Sequence, residues 1–143
     1  MRTWTPLLLL AACAPSTTPA ATSTTPPSVT TSAAPHVFAP TVTPLRGGAP
    51  YQPILEGPPG TRGMESGRVE LAPGETGHIH STKSYEEAVT ILAGSGELRV
   101  PGRDALPFAA PCVLYVPPET SHAVANTGKE PLVYVFVAAP SGR

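Results

Sequence analysis

The sequence lacks a strongly basic segment, a set of paired cysteines and an apolar run long enough to cross a membrane. Only 13% of its 143 residues are charged, and 9 basic residues stand against 10 acidic ones, for a net charge of -1. This balance argues against nucleic-acid binding, which needs lysine and arginine concentrated on one surface. No stretch keeps a hydrophobic period of 3.6 residues for more than two turns, so long helices are not expected.

Residues 1–12 have the composition of a secretory signal. Arg2 supplies one positive charge, and the apolar run over residues 7–12 is too short for a stable membrane-spanning helix. The segment Leu10-Ala11-Ala12-Cys13 resembles the lipobox of bacterial lipoproteins, in which the cysteine carries the lipid. This resemblance implies a cell-envelope protein that is anchored to the membrane through lipidated Cys13 alone, on the periplasmic or extracellular face. An ordinary cleaved signal peptide with a chance cysteine is the alternative.

Residues 13–44 predict a tether between this anchor and a domain at residues 45–143. After Cys13 the segment consists almost wholly of alanine, threonine, serine and proline, and it has no charged side chain. Such a composition buries too little apolar surface to offset the entropy of ordering, so we expect a disordered, partly extended chain. A stalk that carries O-linked sugar is compatible with the same composition. His36 lies in this segment and is not expected to have a role.

The remaining residues predict an all-β domain. Short runs of apolar and β-branched residues are separated by turn sequences such as Ala72-Pro-Gly-Glu and Ala93-Gly-Ser-Gly, which is typical of a sandwich or barrel. In the last run, Val133, Val135 and Val137 alternate with residues that are also apolar. That strand is therefore either covered on both faces or part of a homodimer interface. The predicted strands are Gln52–Glu56, Arg68–Leu71, His78–His80, Glu87–Leu92, Gly96–Val100, Pro111–Val116, His122–Asn126 and Pro131–Ala138.

Three histidines and one glutamate form the most informative group in the sequence. His78 and His80 are two residues apart, so on an extended strand both side chains point to the same face. With Glu87 and His122 they supply a complete ligand set for one divalent transition metal. Iron, manganese, nickel, cobalt, copper and zinc all accept such ligands, and the set does not choose among them. An octahedral metal keeps two positions open for water, dioxygen or substrate, whereas tetrahedral zinc is closed.

The spacing of these residues resembles the first motif of the cupin family, G-x5-H-x-H-x(3,4)-E-x6-G. The chain supplies His78-Ile79-His80, and Glu87 and Gly94 have the spacing of the motif's last two residues. Ala72 stands where the family has its first glycine. The resemblance implies that these histidines and this glutamate ligate the metal.

The gap between His80 and Glu87 is longer than the family pattern, with six intervening residues. This longer gap leaves Glu86 as an alternative ligand. Glu87 is the preferred ligand because it shares a strand face with Val89 and Ile91, the expected inward-facing apolar residues.

The second cupin motif, G-x5-P-x-G-x2-H-x3-N, is matched in register by Pro117, His122 and Asn126. Glu119 replaces the second glycine of this motif, and Pro111 replaces the first. Glu119 lies in a predicted turn and is expected to be solvated. Together the two motifs assign the resemblance to roughly residues 50–139.

The resemblance implies a double-sheet jelly-roll β-barrel of the cupin type. The chain looks like a small single-domain cupin that resembles quercetin dioxygenase. The implied function is to bind a divalent transition metal and a small oxygen-rich ligand or substrate, and the enzymatic hypothesis is a metal-dependent dioxygenase or isomerase. The alternatives are a non-catalytic sugar or small-molecule binding module and a barrel with a purely structural metal.

Other residues have a chemical and a structural interpretation. Asn126 either hydrogen-bonds behind a metal ligand or stabilises the turn before Gly128, and the second role is preferred. Cys112 lies in an apolar run and is interpreted as a small core residue, with a redox or ligand role as the alternative. Further candidates for lining a binding pocket are Lys83, Thr90, Arg99, Tyr85, Tyr115 and Tyr134.

Overall fold

The computed structural model describes residues 38–142, and these residues form strands and loops. Within this range, no helix is long and apolar enough to cross a membrane. The predicted signal at residues 1–12, Cys13, His36 and most of the predicted tether lie outside the described residues. The end of the tether, residues 38–44, is exposed and has no regular secondary structure.

Nine strands are present in this part of the chain. They are Tyr51–Glu56 (β1), Glu65–Leu71 (β2), His80–Ser81 (β3), Tyr85–Ala93 (β4), Ser95–Arg99 (β5), Leu106–Ala109 (β6), Cys112–Val116 (β7), Ser121–Ala125 (β8) and Leu132–Pro140 (β9). They form a five-stranded antiparallel sheet in the order β1-β2-β9-β4-β7 and a four-stranded one in the order β3-β8-β5-β6. The predicted all-β, double-sheet architecture is therefore confirmed.

The hydrophobic core lies between the two sheets and follows from the alternation of residues along the strands. On β4, Val89 and Ile91 are almost fully buried, while Thr90 between them is exposed on the outer face. Leu98 of β5 and Val124 of β8 face these residues from the four-stranded sheet and belong to the same core cluster. Burial of one such side chain contributes about 1.5–3 kcal/mol, so the shared core holds the two sheets together.

The outer face of the five-stranded sheet carries a second apolar stripe. Val133, Val135 and Val137 of β9 are half-buried on this face. At the sheet edge, Val113 and Tyr115 of β7 are exposed, at 64% and 60% of their surface. Both faces of β9 are therefore apolar, as the alternating valines indicated. A homodimer interface on the outer face stays a prediction.

Two glycines shape the chain where it passes from β4 in the five-stranded sheet to β5 in the four-stranded sheet. Gly94 has a φ of +86°, a left-handed conformation that glycine adopts without steric cost. At Gly96, a Cβ atom would overlap the carbonyl oxygen of Ala125 on the paired strand β8. Gly94 therefore serves the turn, and Gly96 permits the close approach of β5 to β8.

One strand was missed by the sequence pattern. Strand β6 pairs only with β5, at the edge of the four-stranded sheet. Leu106 is 56% exposed and Pro107 follows it, so the segment shows neither alternating burial nor the usual composition of a strand.

Candidate metal centre

Two histidines of the four-stranded sheet and one glutamate of the five-stranded sheet meet between the sheets. His80 on β3 is the direct register partner of His122 on β8, and their ring centroids are 4.6 Å apart. Glu87 on β4 faces them from the inner surface of the other sheet. Residues that are distant in sequence thus form one compact cluster.

The distances within the cluster fit ligation of one ion. The Oε2 atom of Glu87 lies 3.3 Å from Nε2 of His122 and 3.6 Å from Nε2 of His80. All three ligand atoms lie within 4.8 Å of one another. Two ligands placed about 2.1 Å from one metal, at octahedral to tetrahedral angles, are separated by about 3.0 to 3.4 Å. The Glu87–His122 separation lies in this range and the Glu87–His80 separation slightly exceeds it, so the donor set approximates a site for a divalent transition metal.

Backbone carbonyl groups orient both imidazole rings. Nδ1 of His80 lies 3.1 Å from the carbonyl oxygen of His78, and Nδ1 of His122 lies 3.4 Å from that of Thr120. A ring that donates its Nδ1 proton to a carbonyl keeps the lone pair on Nε2, the atom that points at Glu87. This tautomer is the one required for metal binding through Nε2.

The site combines a buried and an accessible side. Glu87 and His122 are 6% and 1% exposed, whereas the side chain of His80 is 52% exposed. Burial disfavours the imidazolium form of His122, but the adjacent Glu87 carboxylate outweighs this effect, so the pKa of His122 lies above its ordinary value. A proton and a metal ion would therefore compete for the same nitrogen.

His78 lines the same cavity but is not part of the compact cluster. The predicted strand His78–His80 is only His80–Ser81 in the structure, and His78 lies in an irregular segment. Thr76 pairs with Ala125, and His80 pairs with His122. The chain therefore advances four residues from Thr76 to His80, while the opposite segment of β8 advances only three. This extra residue breaks the two-residue alternation, as in a β-bulge, and the argument that both histidines share a face no longer holds.

Glu86, the alternative ligand, points away from the cluster. Its Oε2 accepts a hydrogen bond from the hydroxyl of Tyr115 at 3.2 Å on the outer face of the sheet. Glu87 points inward, on the same side of β4 as the buried Val89 and Ile91. The alternation of side chains along β4 therefore separates the two adjacent glutamates.

Two loops that flank the ligands are hydrogen-bonded to each other. The hydroxyl of Thr82, before Glu87 in the chain, donates to the carbonyl of Pro117 and accepts from the amide of Thr120. The amide of Glu119 donates to the carbonyl of Lys83 at 2.8 Å, and both residues have positive φ angles, 56° and 50°. Glu119 thus adopts the backbone conformation for which the cupin motif has glycine.

Asn126 has a structural role in the turn after β8. Its Nδ2 donates to the carbonyls of Leu71 and Glu130 at 3.0 and 2.9 Å, and its Oδ1 accepts from the amide of Gly128 at 2.9 Å. These bonds engage both donors of the amide and leave it no contact with a metal ligand. The geometry agrees with the interpretation that Asn126 stabilises the turn before Gly128.

A cavity of about 650 Å³ opens onto the cluster. Of the pocket residues predicted from the sequence, Lys83, Tyr85 and Tyr134 line it. Thr90 and Arg99 do not: the first faces outward, and the second pairs with Glu97 at 3.2 Å.

Tyr134 and Cys112 both lie on inner faces of the five-stranded sheet but differ in access to the cavity. Burial, followed by the charges of Glu87 and Glu75, raises the pKa of Tyr134 to about 12, so its hydroxyl stays protonated at neutral pH. Cys112 is a half-buried free thiol that packs against the core and does not line the cavity.

A family model described as a cupin domain matches residues 67–138, half of the chain. The chain belongs to the cupin family. This membership agrees with the two-motif resemblance and with the double-sheet fold. The candidate cluster of this cupin contains His80, Glu87 and His122.

Curated relatives match part of this cupin domain. A glucose-6-phosphate isomerase from Pyrococcus abyssi is 37% identical over 65 residues, which is 43% of this chain and 34% of the relative. A glucose-6-phosphate isomerase from Pyrococcus horikoshii is 34% identical over the same length. The chain thus spans about a third of the length of these relatives.

Solved structures share the fold. A Cupin 2 conserved barrel domain protein from Salinispora arenicola is 25% identical with a TM-score of 0.58, covering 70% of this chain and 88% of the other. An RmlC-like cupin with a double-stranded β-helix fold from Methanocaldococcus jannaschii is 18% identical with a TM-score of 0.59, covering 73% and 94%.

Proposed function

We propose that this cupin binds one divalent transition metal and uses it to hold the oxygen atoms of a small ligand inside the cavity. The observation that carries the proposal is the convergence of two Nε2 atoms and one carboxylate oxygen at the edge of a cavity of about 650 Å³. His80, Glu87 and His122 would hold the metal, which is iron, manganese, nickel, cobalt, copper or zinc. His78, from the segment that precedes β3, is the proposed fourth ligand.

The protein's own groups prepare the cavity for an oxygen-rich molecule. Val69, Leu71, Val124 and Phe136 form apolar walls of the cavity. The protonated hydroxyl of Tyr134 is the proposed hydrogen-bond donor to a ligand oxygen. A bound metal would supply Lewis acidity or, if redox-active, electrons for reaction with dioxygen.

Two reactions suit such a site, and one observation favours each. Three clustered protein ligands leave open metal positions for a substrate and dioxygen together, which favours a dioxygenase of the kind that resembles quercetin dioxygenase. The Pyrococcus relatives are named isomerases, which favours isomerisation of a polyhydroxy compound. A non-catalytic binding module and a structural metal are the competing functions.

Metal content tests the proposed site. Full-length protein and single alanine variants at His78, His80 and His122 are compared by elemental mass spectrometry and by metal titration, with His36→Ala as the matched histidine control. Zinc-finger sites with four ligands bind with about 10–16 kcal/mol, or roughly 3 kcal/mol per ligand, so losing His80 or His122 should weaken binding at least about 100-fold. Because His78 lies outside the cluster, its variant should retain metal with a smaller loss of affinity.

The outcomes distinguish the candidate functions. The site is supported if the wild type and the control hold one metal per chain and the alanine variants at His80 and His122 lose it. That result would justify screens for dioxygen uptake and for isomerisation. A single zinc that never exchanges and never responds to added ligands would favour a structural metal. Equal metal content in all variants would contradict the proposal.

We further propose that lipidated Cys13 holds the cupin domain at the cell envelope. The support is the lipobox-like segment at residues 10–13 and the uncharged, proline-rich segment that follows it. Expression in a lipoprotein-processing bacterium should place the wild type in the membrane fraction and Cys13→Ser outside it. A Cys13→Ser variant that remains with the membranes would show that another feature anchors the chain.

A further inference from the structure

The charged residues that line the cavity beside the proposed metal site are mainly acidic. Four glutamates contribute to its lining, namely Glu65, Glu70, Glu75 and Glu87. Among residues 38–142, Lys83 is the single lysine or arginine that lines it. This imbalance bears on the ligand, because the charge of a cavity wall selects which charged groups can enter.

Of the four carboxylates, one has a cationic partner, one belongs to the proposed metal site, and two have neither. Glu70 is paired with Arg68, with 2.5 Å between Oε2 and a guanidinium nitrogen, and Glu87 belongs to the proposed metal site. Neither Glu65 nor Glu75 forms an ion pair with any residue between 38 and 142. The carboxylate of Glu75 accepts a hydrogen bond from the amide of Ala72 at 2.8 Å. The wall therefore holds two carboxylates that lack a cationic partner, and one exposed lysine.

The protein groups that usually bind a phosphate are also missing from the lining of the cavity that residues 38–142 form. Phosphate groups are held by arginine forks, by clusters of cationic side chains or by helix N-termini. Residues 38–142 form no helix, and their cavity has one lysine. A phosphate or carboxylate on a part of the ligand that does not reach the metal would therefore be repelled by Glu65 and Glu75, with Lys83 as the one cationic side chain to oppose them.

The remaining wall is suited to uncharged oxygen-bearing groups. The apolar side chains of Val69 and Phe136 line one side of the cavity, and a polar loop with Ser81 and Thr82 lines another. The hydroxyl of Tyr134 lies beside Gly77, where an added Cβ would be 3.6 Å from it, an ordinary van der Waals distance. A neutral hydroxyl group can be desolvated here at little cost, whereas a doubly charged phosphate cannot.

We propose that the cavity takes an oxygen-rich ligand without negative charge, a neutral or cationic polyol or aromatic diol, and discriminates against phosphate esters and carboxylates. The proposal rests on the proposed function, because the metal would hold the hydroxyl oxygens of that ligand. Glu65 and Glu75 are the residues that would determine this specificity.

Three aromatic diols that differ in the charge of one substituent provide the test. Catechol is neutral, dopamine is cationic and 3,4-dihydroxybenzoate is anionic, and all three offer the same pair of oxygens to a metal. Binding to the full-length protein loaded with Co(II) is measured by calorimetry and by the visible absorption of the cobalt. At low ionic strength we expect the anionic diol to bind at least about tenfold more weakly than the other two, and 0.5 M salt to narrow the difference.

Variants separate the effect of the wall from the chemistry of the probes. The double variant Glu65→Gln/Glu75→Gln should reduce the ratio between the affinities for catechol and dihydroxybenzoate at least about threefold. Glu97→Gln is the matched control, because Glu97 pairs with Arg99 and does not line the cavity. The proposal would be overturned if the ratio between the affinities for catechol and dihydroxybenzoate were the same in the double variant and the wild type.

The same experiment distinguishes failure of this proposal from failure of the proposed function. If cobalt is held and all three diols bind equally well, the charge selection is wrong and the metal site stands. If cobalt is not held, or no diol alters its spectrum, the proposed function is wrong and the ligand proposal with it.

Discussion

Replacing Asn126 by alanine should destabilise the domain without weakening metal binding by the folded protein. The side chain is 2% exposed and makes three hydrogen bonds, to the backbone groups of Leu71, Glu130 and Gly128. Each such bond contributes about 1 kcal/mol net. Their loss should therefore lower the free energy of unfolding by about 3 kcal/mol, with a larger loss if the buried Leu71 carbonyl stays unpaired.

This change is large against the usual stability of a domain, about 5–15 kcal/mol. For a domain of this size, 1 kcal/mol corresponds to roughly 4 °C in melting temperature, so Asn126→Ala should melt roughly 12 °C below the wild type. Thermal and urea unfolding of the metal-free protein, followed by circular dichroism, measure both quantities. The adjacent, exposed Thr127 is the matched control, and Thr127→Ala should change stability by less than about 0.5 kcal/mol.

A second variant sharpens the test. Asn126→Asp keeps the shape of the side chain and the acceptor for the amide of Gly128, but it places a carboxylate against the carbonyl oxygens of Leu71 and Glu130. It should be at least as destabilising as alanine. The reasoning is refuted if Asn126→Ala unfolds within about 1 kcal/mol of the wild type, or if its main effect is a loss of metal affinity in the folded state.

Three further predictions concern the site and its loops. The raised pKa of His122 adds stability to the metal-free protein below about pH 6.5, and this stability is lost as the pH rises through the folded-state pKa. Over the same pH range, metal affinity should increase by about tenfold per pH unit, because the proton and the metal compete for one nitrogen. A metal affinity that does not change with pH would contradict this competition. Tyr134→Phe should keep the metal but weaken catechol binding by about tenfold, measured by calorimetry, because it removes one hydrogen-bond donor; unchanged affinity would exclude that contact. Glu119→Gly should raise the free energy of unfolding by up to about 1 kcal/mol, since Glu119 has a φ of 56°; a clear loss of stability in urea would refute this.

Local patterns in the sequence were sufficient wherever the deciding interaction lies within one strand or one turn. Alternation along β4 separates Glu87 from Glu86. Glu87 lies on the inner face with the buried Val89 and Ile91, whereas Glu86 lies on the exposed outer face. The same alternation predicted the buried Val89 and Ile91. By contrast, the edge strand Leu106–Ala109 carries no such signal, because exposed edge residues need not alternate.

The sequence alone indicated the strands, the double-sheet fold and the residue types of a metal site, because the period of a strand and the spacing of a motif are properties of adjacent residues. Tertiary structure decided how those residues meet. The position of His78 depends on an extra residue opposite β8, which only the pairing of Thr76 and His80 with that strand reveals. The charge of the cavity was likewise decided by packing, because Glu65, Glu75 and Glu87 lie in different segments of the chain that only the folded domain brings around one cavity.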